Sequence, residues 1–176
     1  MLTYLEDPSK RGSTLLSDKA RKTIAEGYAQ ERRRRDALDP TLNGRPQEIL
    51  KAPKPELEQS FGWWCLQLGF MLKSPHAERP DYQAVIRELG ERCLRTMPQA
   101  HAQARAAQAE EPDEEIMDRY ATVDNESLPR YARWLHKAGD YAGAIRVCEM
   151  ALKHAIQPKS PGAFDRALQA AHKKLA

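Results

Sequence analysis

Between Leu128 and Pro158 the chain reads LPRYARWLHKAGDYAGAIRVCEMALKHAIQP. Two apolar stripes at helical spacing run through it, broken once at Ala138-Gly139-Asp140-Tyr141. Leu128, Tyr131, Ala132 and Leu135 make the first stripe; Ala144, Cys148, Ala151 and Ala155 make the second, with Ile145 and Leu152 alongside. Gly139 can take the positive φ that ends a helix, and Asp140 can cap the next one. Small residues at 132, 144 and 151 let two backbones approach, while Tyr131 and Tyr141 fill the space around them. The stretch is therefore expected to be a helical hairpin. One such hairpin cannot bury its own faces, so other helical pairs must stack on it.

The same residues resemble a tetratricopeptide (TPR) repeat. The family's second-helix pattern, a glycine, an aromatic two on, an alanine three later and another seven after that, is met by Gly139, Tyr141, Ala144 and Ala151. Its first-helix positions are met more loosely by Leu128, Tyr131, Ala132 and Leu135, and its usual closing proline falls at Ile156, two residues before Pro158. The resemblance covers 31 residues and implies a groove lined by the first helix of each pair. The run from Trp134 to Pro158, containing GDYAGAI, also looks like the C-terminal part of the small terminase subunits of P2-like phages, which package DNA. The acidic motif of that family has only Asp124-Asn125-Glu126 to represent it here.

Elsewhere the pattern is helical throughout, and the chain is expected to be all-α, with irregular stacked hairpins, six to seven helices and a Pro-rich N-terminal arm. Residues 1–16 read as an arm. Ser17-Asp18 reads as the cap of a helix over 18–38, with Ala20, Ile24 and Tyr28 on one face. Four prolines and Asn43-Gly44 between Asp39 and Pro55 make a linker or wrapping loop. The domain division expected is 1–55 for arm, basic helix and linker, and 56–176 for the body. A hydrophobic helix over 56–73 and a second from Tyr82, capped by Asp81, to Met97-Pro98 would form a hairpin. Ala- and Gln-rich residues 99–110 have helix propensity but little to bury. The acidic group from Glu110 to Glu115 around Pro112 suits the first turn of a helix carrying Ile116, Met117 and Tyr120. Ser160-Pro161 would cap a last helix striped by Phe164, Leu168, Ala171 and Leu175.

Charge sets the functional expectation. Residues 105–126 carry two basic and eight acidic side chains, net −6, and residues 127–176 carry nine and three, net +6. Arg130, Arg133 and Lys137, with His136 nearby, gather cations on one face of the first helix of the TPR-like hairpin. They could grip an acidic peptide or its C-terminal carboxylate, or could simply be a solvated face neutralised by the acidic segment 110–118. Arg32, Arg33, Arg34 and Arg35, extended by Lys10, Arg11, Lys19, Arg21 and Lys22, could contact phosphates or end a solvated helix. Cys65, Cys93 and Cys148, odd in number and set in apolar patterns, read as buried thiols of a reducing compartment. No apolar run is long enough to span a membrane, and the N-terminus has no signal core. The five histidines lack zinc-ligand spacing, and no phosphate loop, nucleophile elbow or paired-carboxylate motif occurs. The expectation is a cytoplasmic, non-enzymatic binding or adaptor protein that holds an acidic protein segment, without catalytic residues, metal or cofactor. The alternatives are a nucleic-acid-associated helical protein or a small structural subunit of a larger complex.

Overall fold

A computed structural model describes residues 18–112, 114–122 and 126–176, without the side chains of Asp18, Arg35 and Leu38. The arm 1–16, Ser17, Asp113, Asp124 and Asn125 lie outside the described residues. Seven α-helices are present among the described residues and no strand: α1 (Asp18–Leu38), α2 (Phe61–Leu72), α3 (Pro80–Glu110), α4 (Ile116–Thr122), α5 (Ser127–Lys137), α6 (Tyr141–Lys153) and α7 (Ala163–Leu175). The expected all-α class holds. No helix of the described residues is long and apolar enough to cross a membrane.

The core begins with α2 and α3. Ser60 starts α2 by accepting a hydrogen bond from the Trp63 N–H at 3.2 Å, and the residues before it make a 3₁₀ turn, Pro55–Gln59, in place of the expected helical turn. Phe61, Trp64, Cys65, Leu68 and Met71 of α2 are buried against Tyr82, Val85, Ile86, Leu89, Cys93 and Met97 of α3. Pro80 opens α3 and Asp81 pairs with Arg79 at 2.8 Å, so Asp81 is no cap. Nor does α3 stop at Pro98. It continues to Glu110 with Pro98 inside it. An interior proline costs about 3 kcal/mol in an ordinary helix. The helix continues past it all the same, its later turns burying Ala104 and packing on α4. The alanine-rich residues, expected to have little to bury, form the second half of the longest helix among the described residues.

The Pro-rich stretch 39–55 wraps the body. Pro46 and Ile49 are buried on a 3₁₀ turn, the Ser74 hydroxyl donates to the Thr41 carbonyl, and the Gly44 N–H donates to the Tyr82 hydroxyl at 3.2 Å. Arg92 binds this loop to the core. Its guanidinium donates to the Leu50 carbonyl at 2.9 Å and to Glu88 at 2.9 Å, and lies 4.5 Å from the centre of the Trp64 ring.

The hairpin read most clearly from the sequence is α5–α6. Gly139 takes φ +79 between its helices, and the Asp140 carboxylate accepts from the Gly143 N–H at 2.9 Å. Ala132, Ala144 and Ala151 are all buried. The hairpin ends on Ala155 at φ +59, with the Ile156 N–H donating to the Ala151 carbonyl at 2.9 Å. A proline at 156 would lose that bond, which is a physical reason why the chain has isoleucine there. Gln157 then donates to the Ala121 carbonyl, tying this end to α4.

In space α2 packs on α3 and α5, α5 on α6 and α7, and α6 on α7. Two close approaches lock the hairpins. A Cβ built on Gly90 of α3 would sit 2.2 Å from the Tyr131 ring of α5, and one built on Gly69 of α2 would sit 2.7 Å from the Ser127 hydroxyl. Two ion pairs span the same seam, Arg87–Asp140 at 2.7 Å and a two-pronged Arg146–Glu91 at 2.9 and 3.0 Å. Helix α7 starts after Gly162 at φ +69 with no side-chain cap, so Ser160 does not play the expected role. Its Phe164 and Ala171 are buried, Leu168 is half-buried and Leu175 is exposed.

Candidate functional site: a basic groove between α5 and α7

A groove of about 410 Å³ runs between α5 and α7. Arg130, Arg133, His136 and Lys137 all line it, so the structure gathers the four residues of α5 that the sequence singled out. Helical geometry explains three of them. Positions 130, 133 and 137 are spaced three and four apart, on the face opposite the buried Leu128, Tyr131, Ala132 and Leu135. The opposite wall adds two cations that pattern-reading missed, Lys159 and Arg166. They belong to the turn after α6 and to α7, and only the docking of α7 on α5 brings them across. The basic character of the C-terminal third was the available signal.

The groove's lining sets five cations against one carboxylate, Glu126, a net charge of +4. Glu126 sits at the start of α5 and accepts from Arg130 at 2.9 Å and from Lys159 at 3.4 Å. The Lys159 hydrogen bond first, then the Arg130 charge, holds its carboxyl below the usual glutamate range. Arg166 turns back to donate to the Pro161 carbonyl at 2.9 Å, a fold made easy by Gly162, whose missing Cβ would lie 3.2 Å from the guanidinium. Arg133 and Lys137 have no carboxylate partner among the described residues. They also line a second, smaller recess of about 240 Å³ with Leu72, Ala77 and Glu78, on the α2 side of α5. Cations therefore stand on a ridge between two hollows.

His136 is half-buried, its ring edge-on to Tyr141 with centroids 5.0 Å apart, and its shielded Nε2 has no hydrogen-bond partner among the described residues. Among the described residues of 110–118 no carboxylate pairs with these cations, Glu114 pairing with Arg119 in its own segment; the partner they do have is Glu126, which holds Arg130 and Lys159.

The second expected anion contact stands apart. Arg32, Arg33 and Arg34 are exposed on α1, and among the described residues their one side-chain hydrogen bond runs from Arg33 Nε to the Ala29 carbonyl at 3.4 Å. Of the side chains added to that patch, Lys19 and Lys22 are exposed and Arg21 is half-buried; Lys10, Arg11 and the Arg35 side chain lie outside the described residues. All three cysteines are buried as thiols, Cys65 Sγ lying 3.7 Å from Cys93 Sγ, and burial pushes Cys148 up to about 11. Trp64 is fully buried, while Trp63 is half-buried beside exposed Leu66 and Phe70.

Comparison with protein-family models, with curated proteins and with solved structures finds no match to the chain.

Proposed function

We propose that the protein is a non-enzymatic binding or adaptor protein whose stacked, TPR-like helical hairpins hold an acidic segment of a protein partner in the α5–α7 groove. The observation that carries this reading is the groove's composition, five cations facing one carboxylate, with Arg133 and Lys137 free of acidic partners among the described residues. Concave shape and one-signed charge raise the local concentration of an oppositely charged segment, and guanidinium groups add two-pronged bonds to carboxylates. The order of packing supports the TPR-like part. Helices α2, α5 and α7 lie side by side, with α3 and α6 as the second members of the first two pairs, the layout that a stack of such hairpins requires. Three buried cysteine thiols favour a reducing, cytoplasmic setting.

Titration of a fluorescent peptide rich in Asp and Glu, by anisotropy, tests the proposal. The acidic peptide is expected to bind and a neutral peptide of equal length to stay free, with affinity falling as salt rises. Arg133→Glu with Lys137→Glu should weaken binding at least about tenfold, the equivalent of roughly 1.4 kcal/mol. Equal binding by that variant would remove the groove from the account.

A nucleic-acid reading rests on the solvated Arg32, Arg33 and Arg34. If duplex DNA or RNA binds at moderate salt and Arg32–Arg35→Ala abolishes it while the acidic peptide fails, the adaptor reading gives way to that one.

A further inference from the structure

Residues 99–110, once continued as helix α3, carry His101 to a place that no sequence spacing suggests. It meets His154, the residue that closes α6, with the two Nδ1 atoms 3.4 Å apart. The rings stand edge to face, centroids 5.2 Å apart at 73°.

That separation fits a shared metal ion. Imidazole nitrogens bind zinc at about 2.0–2.1 Å, and two ligands at this distance from one ion, 3.4 Å from each other, subtend about 110°, the tetrahedral angle. Both partners are held in place. On the α3 side, His101 packs on the Tyr120 ring of α4 with centroids 5.6 Å apart. On the α6 side, the next residue, Ala155, takes φ +59, a conformation rarely adopted by a residue with a Cβ. The Ile156 N–H bond to the Ala151 carbonyl fixes the backbone on the far side of it. His154 also lies at the C-terminal end of α6, where the peptide dipoles favour positive charge.

We propose that His101 and His154 form a two-histidine site for a borderline divalent transition-metal ion of the zinc class, joining α3 to the end of α6. Among the described residues no group of three or more His, Cys, Asp and Glu side chains could hold a metal. Two coordination positions are therefore left to water or to a group from outside the chain. Imidazole donors select zinc, copper or nickel and not magnesium or calcium, which prefer oxygen. The site is independent of the α5–α7 groove, and its test does not depend on peptide binding.

The test is calorimetric titration of the full chain with zinc chloride, together with thermal melts. One zinc per chain should bind, and the melting temperature should rise with zinc concentration because the ion favours the folded state. Magnesium chloride should do neither. His101→Gln and His154→Gln, each first shown folded by circular dichroism, should each weaken zinc binding at least about tenfold and lose the zinc-dependent rise. His76→Gln and His172→Gln should keep both. With copper(II) in place of zinc, the paramagnetic resonance spectrum should show two nitrogen ligands in the parent chain and one in each of the first two variants. Zinc binding that survives in His101→Gln and His154→Gln, or no saturable zinc binding at all, overturns the proposal.

Discussion

The hairpins α2–α3 and α5–α6 stack on each other yet are built in opposite ways. The first relies on bulk. Trp64, Leu68, Met71, Tyr82, Ile86, Leu89 and Met97 are all fully buried there, and the joint between the helices is a loop of several residues after Lys73. The second relies on closeness. Ala132, Ala144 and Ala151 let the helices approach, and the joint is the three residues Ala138–Asp140, with one glycine and one cap. Bulk leaves large side chains over, and Leu66 and Phe70 remain exposed on α2. Close packing leaves the outer face of α5 free for charge, and that face becomes the groove. Each pair should therefore break at a different place and in a different direction.

The largest expected effect is on the bulky hairpin. Trp64 is fully buried, donates its Nε1–H to the Glu58 carbonyl at 2.9 Å and supports Arg92. Trp64→Ala should destabilise the fold by about 3–5 kcal/mol, read from denaturant midpoints, because it opens a large cavity and strands a carbonyl and a guanidinium. A loss below 1 kcal/mol would mean the core collapses easily and does not depend on bulk. The close-packed hairpin should fail in the other sense. Ala151 has no exposed surface, and Ala151→Leu should cost about 1–3 kcal/mol by forcing α5 and α6 apart. The same enlargement at Ala170, exposed on α7, should cost almost nothing.

How far these features could be read in advance follows the same division. The α5–α6 hairpin was legible because its controls are local: a glycine, a cap and small residues at fixed spacing. The cationic face of α5 was legible for the same reason, since residues three and four apart share a face. The continuation of α3 through Pro98 was hidden because its packing is tertiary: Ala104 joins the core and α3 packs on α4, and nothing near Pro98 in sequence announces either. The opposing groove wall, Lys159 and Arg166, and the meeting of His101 with His154 were hidden likewise. Each pairs residues far apart in the chain, and single-helix periodicity carries no information about which helices become neighbours. The misread caps, Asp81 and Ser160, show the local rule yielding to a competing partner: Asp81 is taken by Arg79, and α7 enters through a left-handed glycine.

The smallest effect concerns the joint that couples the two hairpins. Asp140 caps α6 through the Gly143 N–H and also pairs with Arg87 of α3, so one carboxylate serves both the local turn and the packing of one hairpin on the other. Asp140→Ala should cost about 1 kcal/mol, chiefly the lost cap, since the Arg87 pair is substantially exposed and screened by water and salt. Asp140→Asn separates the two roles: its amide oxygen can still cap, while the charge that attracts Arg87 is gone. The hydrogen bond from Arg87, then that from the Gly143 N–H, holds the Asp140 carboxyl below its ordinary value of 3.8. A carboxyl with a lowered pKa in the folded state contributes stability that is fully present above its unfolded value and is lost as pH falls through the folded one. The stability difference between the parent chain and Asp140→Asn should therefore be constant from neutral pH down to about pH 5 and shrink below about pH 4, as the parent's carboxylate takes up its proton. Urea melts of both proteins at a series of pH values measure it. A difference that stays constant to pH 2 would show that the Asp140 charge contributes nothing to holding the two hairpins together and that this residue serves only the local cap through the Gly143 N–H.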